Sequence, residues 1–142
     1  MSIEHVELTF EQKVATLIYG QNDFDEGQES NGSGKSALLE AISIAIANKA
    51  LRDDASVKDL VREDHKSATI TFDLHNPFLK EDLTIIRTVY SNTKSASVEV
   101  WINEEEQRQL TSVRDADKFI LDKIGIDKED LFNFFLISEE NY

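Results

Sequence analysis

A chain of 142 residues, 40% apolar and 30% charged, suits a single domain around one core. Its net charge of −13, with no basic cluster, argues against a DNA-binding face on this domain. The sequence has no cysteine, no apolar run of membrane-spanning length and no secretion signal in Met1-Ser2-Ile3-Glu4-His5, so disulfides, thiolate zinc sites and a membrane role are not expected.

Along the chain, Glu4 to Phe10 alternates. Val6, Leu8 and Phe10 share one face and Glu7 and Thr9 the other, which predicts a strand. Val14 to Tyr19 is a short apolar run ending at Gly20 and predicts a buried strand. Gln21 to Gly34 is polar and glycine-bearing and predicts a loop. Lys35 to Leu51 predicts a helix. Leu38, Leu39, Ile42, Ala45 and Ile46 form a broad apolar face, and Ala37, Ala41, Ile44 and Ala47 carry it almost all round. Such a helix belongs beneath a sheet.

Arg52 to Lys66 is charged, with one helical turn expected at Val57 to Val61. Three strand-like runs follow: Ala68 to Leu74, Leu83 to Tyr90 and Ala96 to Ile102. Turn residues at Asn76-Pro77 and Ser91-Asn92 join them, which predicts an antiparallel meander. Ser112 to Ile124 predicts an amphipathic helix stopped by Gly125. Asp127 is placed to cap a last helix, Lys128 to Ile137. No internal repeat, heptad run or low-complexity tract is present.

The chemistry lies in Asn31-Gly32-Ser33-Gly34-Lys35-Ser36. A triphosphate needs many donors on a small concave surface. Backbone N–H groups supply them where glycine lets the chain curl, and the helix that follows adds the positive end of its dipole. A lysine at the helix start reaches the β- and γ-phosphates, and the next hydroxyl ligates Mg²⁺. The stretch stands between a predicted strand and a predicted buried helix, the context this motif requires. One position departs from G-x-x-x-x-G-K-[ST]: Glu29 stands where the first glycine belongs. The simplest account keeps Gly20-Gln21-Asn22 as the start of the turn and treats Asp23 to Asn31 as an insertion. Its acidic Asp23, Asp25, Glu26 and Glu29 then point away from the phosphates.

Together with Thr16-Leu17-Ile18-Tyr19-Gly20, the run Asn31 to Ile42 (NGSGKSALLEAI) resembles the N-terminal half of an SMC/SbcC-type, ABC-like P-loop ATPase head. Val57 to Arg62, Leu83 to Arg87 and Ile124-Gly125-Ile126-Asp127 leading to Leu131-Phe132 are similar to the same class. The resemblance implies an α/β P-loop NTPase fold, with residues 1–142 as the N-terminal lobe: a buried P-loop helix beside an antiparallel meander. It implies ATP and Mg²⁺ as ligands, with Asn31, Gly32, Ser33, Gly34, Lys35, Ser36 and Ala37 around the nucleotide and Ser36 on the metal. The family expects a metal-ligating glutamine near Ser138-Glu139-Glu140. None is there, and Glu139 stands as the substitute ligand.

The class also needs an Asp-Glu strand and a signature loop, which this sequence lacks. Phe119 to Lys123 has helical spacing instead. The expected partners are therefore a C-terminal half of the head and a second head, with DNA contacted through the full assembly and a nuclease subunit as a further candidate. A cytoplasmic or nucleoid-associated setting follows, in repair, recombination, chromosome maintenance or defence. Binding without hydrolysis is expected of this chain alone.

Two other classes stay open. One is a small nucleotide or metabolite kinase, disfavoured by the meander where a lid and substrate cleft belong. The other is a non-catalytic interaction module with a vestigial loop. His5, His65 and His75 lack metal-ligand spacing, Glu104-Glu105-Glu106 reads as a strand-end turn, and Arg52 and Arg62 read as solvated charges.

Overall fold

A computed structural model of the chain describes residues 5–10, 35–77 and 79–135. Its centre is a four-stranded antiparallel sheet in the order β1-β2-β3-β4. The strands are β1 (Ser67–Asn76), β2 (Glu81–Tyr90), β3 (Ser97–Ile102) and the two-residue β4 (Glu105–Glu106). The meander expected from the three apolar runs is thus present, with each strand beside its sequence neighbour.

Register follows from the alternation. Leu74, Leu83 and Ile102 lie in one cross-strand row, Phe72, Ile85 and Val100 in the next, and Ile70, Arg87 and Val98 in a third. These rows form the inner face. A slip of one residue would turn every one of them outward. Asn103 and Glu104 both take positive φ, 49° and 68°, between the paired Ile102 and Glu105. That is the backbone of a two-residue primed hairpin turn, whose twist matches the strands it joins. The expected strand-end turn is therefore Asn103-Glu104, and Glu105-Glu106 pair as β4.

Two helices cover the inner face. Helix α1 (Lys35–Ala47) buries Ser43, Ile44, Ala45 and Ala47 almost completely. Helix α2 (Val113–Ile124) buries Ala116 and Ile120, the spacing its amphipathic pattern dictates. Three apolar clusters result. Ile46, Ala47 and Leu51 meet Leu131 and Phe132. Leu83, Ile85 and Val100 meet Ala116 and Ile120. Ile44 and Val89 meet Leu60 and Val61, brought in by the 3-10 turn Val57–Leu60.

The termini of α2 obey local rules. Ser112 Oγ accepts the Asp115 N–H at 3.1 Å. Gly125 ends the helix in the left-handed region at φ 77°, donating its N–H to Leu121 O at 2.9 Å. Asp127 accepts the Glu129 N–H at 2.7 Å and caps α3 (Lys128–Asp130).

Four expectations need correction. Helix α1 stops at Ala47 rather than Leu51, because Asn48 turns left-handed at φ 51° and takes the chain out of the helix. Leu39 is 44% exposed and not part of the buried face. Among the described residues, 5–10 carry no strand, and Val6, Leu8 and Phe10 are exposed. After three α-helical residues the last helix widens into a π-helical turn, Leu131–Phe135, which packs Leu131 and Phe132 against the end of α1. The expected strand Val14 to Tyr19, the loop Gln21 to Gly34 and everything beyond Phe135 lie outside the described residues.

Candidate functional site

The candidate site is the N-terminal end of α1. Lys35, Ser36 and Ala37 are its first three residues. Ser36 is exposed and Ala37 half-buried, so the helix start faces out of the core while the helix end is sealed within it. Asn31, Gly32, Ser33 and Gly34 lie outside the described residues, as does Glu139. The site residues expected from sequence are therefore joined in the structure only through Lys35, Ser36 and Ala37.

The charge pattern at this helix start is distinctive. The first turn of α1 holds no acidic residue, whereas α2 carries Asp115 there and α3 carries Glu129 and Asp130. The first backbone N–H groups of a helix lack internal partners and bear a partial positive charge. In α2 and α3 carboxylates meet that charge. In α1 no carboxylate of the first turn does so; a helix end of that kind is a site type that favours anions.

The remainder of α1 is anchored by polar contacts that its apolar pattern does not announce. Glu40 is 9% exposed, and its Oε2 accepts the buried Leu51 N–H at 3.1 Å. Its Oε1 lies 3.9 Å from Arg52 Nε, so Arg52, expected as a solvated charge, leans back towards the helix while remaining exposed. Ser43 Oγ donates to Lys49 O at 2.5 Å, and the Asn48 N–H donates to Ile44 O at 2.9 Å.

Arg87 is the central buried charge. It is 2% exposed, in the middle of the inner sheet face. Its Nε donates to Ala45 O of α1 at 3.2 Å, and its Nη2 lies 2.7 Å from Asp117 Oδ1 of α2. At that separation the two groups form a close ion pair. Asn48 Nδ2 donates to the other oxygen, Asp117 Oδ2, at 3.1 Å. Burial lowers the Arg87 pKa, and the Asp117 carboxylate works against that shift. Sequence reasoning placed Arg87 in a strand without giving it a role. The signal was available: positions 83, 85, 87 and 89 share a phase, and arginine is the one charged residue among Leu83, Ile85 and Val89.

Among the described residues no group of three or more His, Cys, Asp or Glu side chains is placed to hold a metal. The hydroxyl oxygen of exposed Ser36 is of the hard donor type that suits Mg²⁺. A small depression of about 130 Å³, lined by Leu74, Leu83, Ile102 and Ile124 with Lys123 and Glu81 at its rim, shares no residue with α1. Among the described residues no helix is long and apolar enough to cross a membrane.

The chain is a mixed α/β domain in which Lys35 and Ser36 of the Gly-Ser-Gly-Lys-Ser sequence are the first residues of the core helix α1. The sequence matches the AAA domain family over residues 1–142, and the chain belongs to that family. It is also 25% identical, over 111 residues, to the DNA double-strand break repair Rad50 ATPase of Sulfurisphaera tokodaii. That stretch takes in 77% of this chain and 12% of the relative, so the chain spans a small part of the relative's length. Both matches support the resemblance to SMC/SbcC-like ATPases.

Proposed function

We propose that the chain is an ATP- and Mg²⁺-binding lobe of an SMC/Rad50-type ATPase acting in DNA repair or chromosome maintenance. The observation that carries this reading is the start of α1. Lys35 and Ser36 open a helix whose first turn has no carboxylate and whose far end is sealed in the core. In this reading Gly32 to Gly34 offer backbone donors to the phosphates, with Asn31 and Ala37 at the ends of the cradle. Lys35 pairs with the β- and γ-phosphates. Ser36 ligates Mg²⁺, with Glu139 as a second ligand, and the metal neutralises phosphate charge.

This chain has neither the Asp-Glu strand that activates water nor a signature loop. Hydrolysis is therefore assigned to an assembly in which this lobe joins a C-terminal half and a second head. DNA, and a nuclease subunit where one exists, are met by that assembly. The acidity of this lobe fits such a division of labour.

Titration calorimetry with ATP and Mg²⁺ tests the reading. Lys35→Ala is expected to weaken binding by about a hundredfold, the loss of roughly two tenfold steps of affinity. Unchanged affinity in Lys35→Ala would sink it. Absence of binding in the native sequence, even with a C-terminal half supplied, would favour an interaction module.

A further inference from the structure

We propose that Arg87, Asp117 and Asn48 form a clamp on the far end of α1 that positions the phosphate-binding end of the same helix. The inference rests on the nucleotide-binding reading above and adds positioning residues to it.

Apolar packing holds α1 against the sheet, but such contacts are non-directional and tolerate small rotations and slides. Directional contacts fix the helix in place, and among the described residues several gather at its C-terminal end. Arg87 reaches from β2 to Ala45 O, Asp117 of α2 faces Arg87, and Asn48 ties the residue after the helix to the other oxygen of Asp117. One sheet strand and both main helices thus meet at one ion pair, its guanidinium buried and its carboxylate 25% exposed. The last turn of α1 has no basic residue of its own, so Arg87 supplies from the sheet the positive charge that its carbonyl end favours.

A helix transmits such a constraint as a rigid rod. Ala45 lies ten residues from Lys35, about 15 Å along the axis. Over that length a tilt of about 4° moves Lys35 by about 1 Å, and misplacements of that size disable binding and catalytic groups. Such a pair contributes little net stability compared with apolar residues of similar volume, while its directional bonds to Ala45 O and Asn48 restrict geometry. That makes the two roles separable.

The test uses the full chain, binding of MgATP by calorimetry, and thermal melts. The double variant Arg87→Met/Asp117→Leu restores an uncharged, filled interior but cannot bond Ala45 O or Asn48. It is expected to melt cooperatively near the native temperature and to bind MgATP about tenfold more weakly. Val100→Ala, which thins the core on β3 without touching the clamp, is expected to melt lower and to bind MgATP normally. Asn48→Gly removes one tie at a half-buried position while keeping the left-handed backbone at φ 51°, and is expected to weaken binding about threefold; it decides the matter if the double variant does not fold. Native affinity in the double variant, or in Asn48→Gly if that variant decides, overturns the clamp. So does an affinity in Val100→Ala that falls in step with its melting temperature. Failure of the underlying reading looks different: the native chain does not bind, or Lys35→Ala binds as well as the native chain.

Discussion

The Arg87–Asp117 pair predicts an unequal response to removing its two partners. In Asp117→Leu the guanidinium stays 2% exposed and loses its counter-charge, keeping only Ala45 O as acceptor. Leaving a buried charge uncompensated costs about 4 kcal/mol. In Arg87→Met the stranded carboxylate is 25% exposed and still accepts from Asn48, so water and an existing partner absorb much of the loss. About 2 kcal/mol is expected there. With both changed no charge is stranded, and the loss falls to about 1 kcal/mol or less. A domain of this size holds roughly 10 kcal/mol in reserve, so every variant remains foldable. Urea denaturation followed by circular dichroism at pH 7, with slopes compared across the set, measures all three values. Two results would refute the reasoning: Arg87→Met costing as much as Asp117→Leu, or the double variant losing the sum of the single losses.

Other positions give sharp expectations by the same denaturation assay. A side chain at Gly125 meets nothing within 4 Å, so Gly125→Ala isolates backbone strain at φ 77° and is expected to cost about 1 kcal/mol. Gly125→Asn should cost less than half as much, because asparagine accepts the left-handed region, as Asn48 does in this chain; a larger loss for asparagine than for alanine would contradict it. Glu40→Ala leaves the buried Leu51 N–H without its acceptor and is expected to cost about 2 kcal/mol, with faster amide exchange at Leu51 as the local signature. Ile120 is fully buried between α2 and the sheet, and Ile120→Ala should lose about 3 kcal/mol, against about 1 kcal/mol for Ile120→Val.

Much of this architecture was legible because it is written in local patterns. Alternation places Ile70, Phe72 and Leu74 on one side of β1 and Leu83, Ile85 and Val89 on one side of β2. Ser112, Gly125 and Asp127 mark helix ends through bonds to backbone a few residues away. These signals failed where a distant partner decides the outcome. Val6, Leu8 and Phe10 alternate as β1 does, yet among the described residues 5–10 carry no strand, for alternation sets a face and does not name a pairing neighbour. Leu39 and Ile42 look equivalent in the helix pattern, but only Ile42 packs against a core cluster.

The Gly-Ser-Gly-Lys-Ser stretch is read as a phosphate cradle from sequence alone. Glycines, lysine and serine in that order carry their chemistry in their spacing, and of them the structure describes Lys35 and Ser36, in α1. What holds the helix by its other end was decided by tertiary structure. Ala45, Arg87 and Asp117 are far apart in the chain and meet only when β2 and α2 close over α1. The physical reason is range. Backbone preference and side-chain periodicity act over a few residues, whereas the fate of a buried charge depends on which groups folding brings within about 3 Å of it.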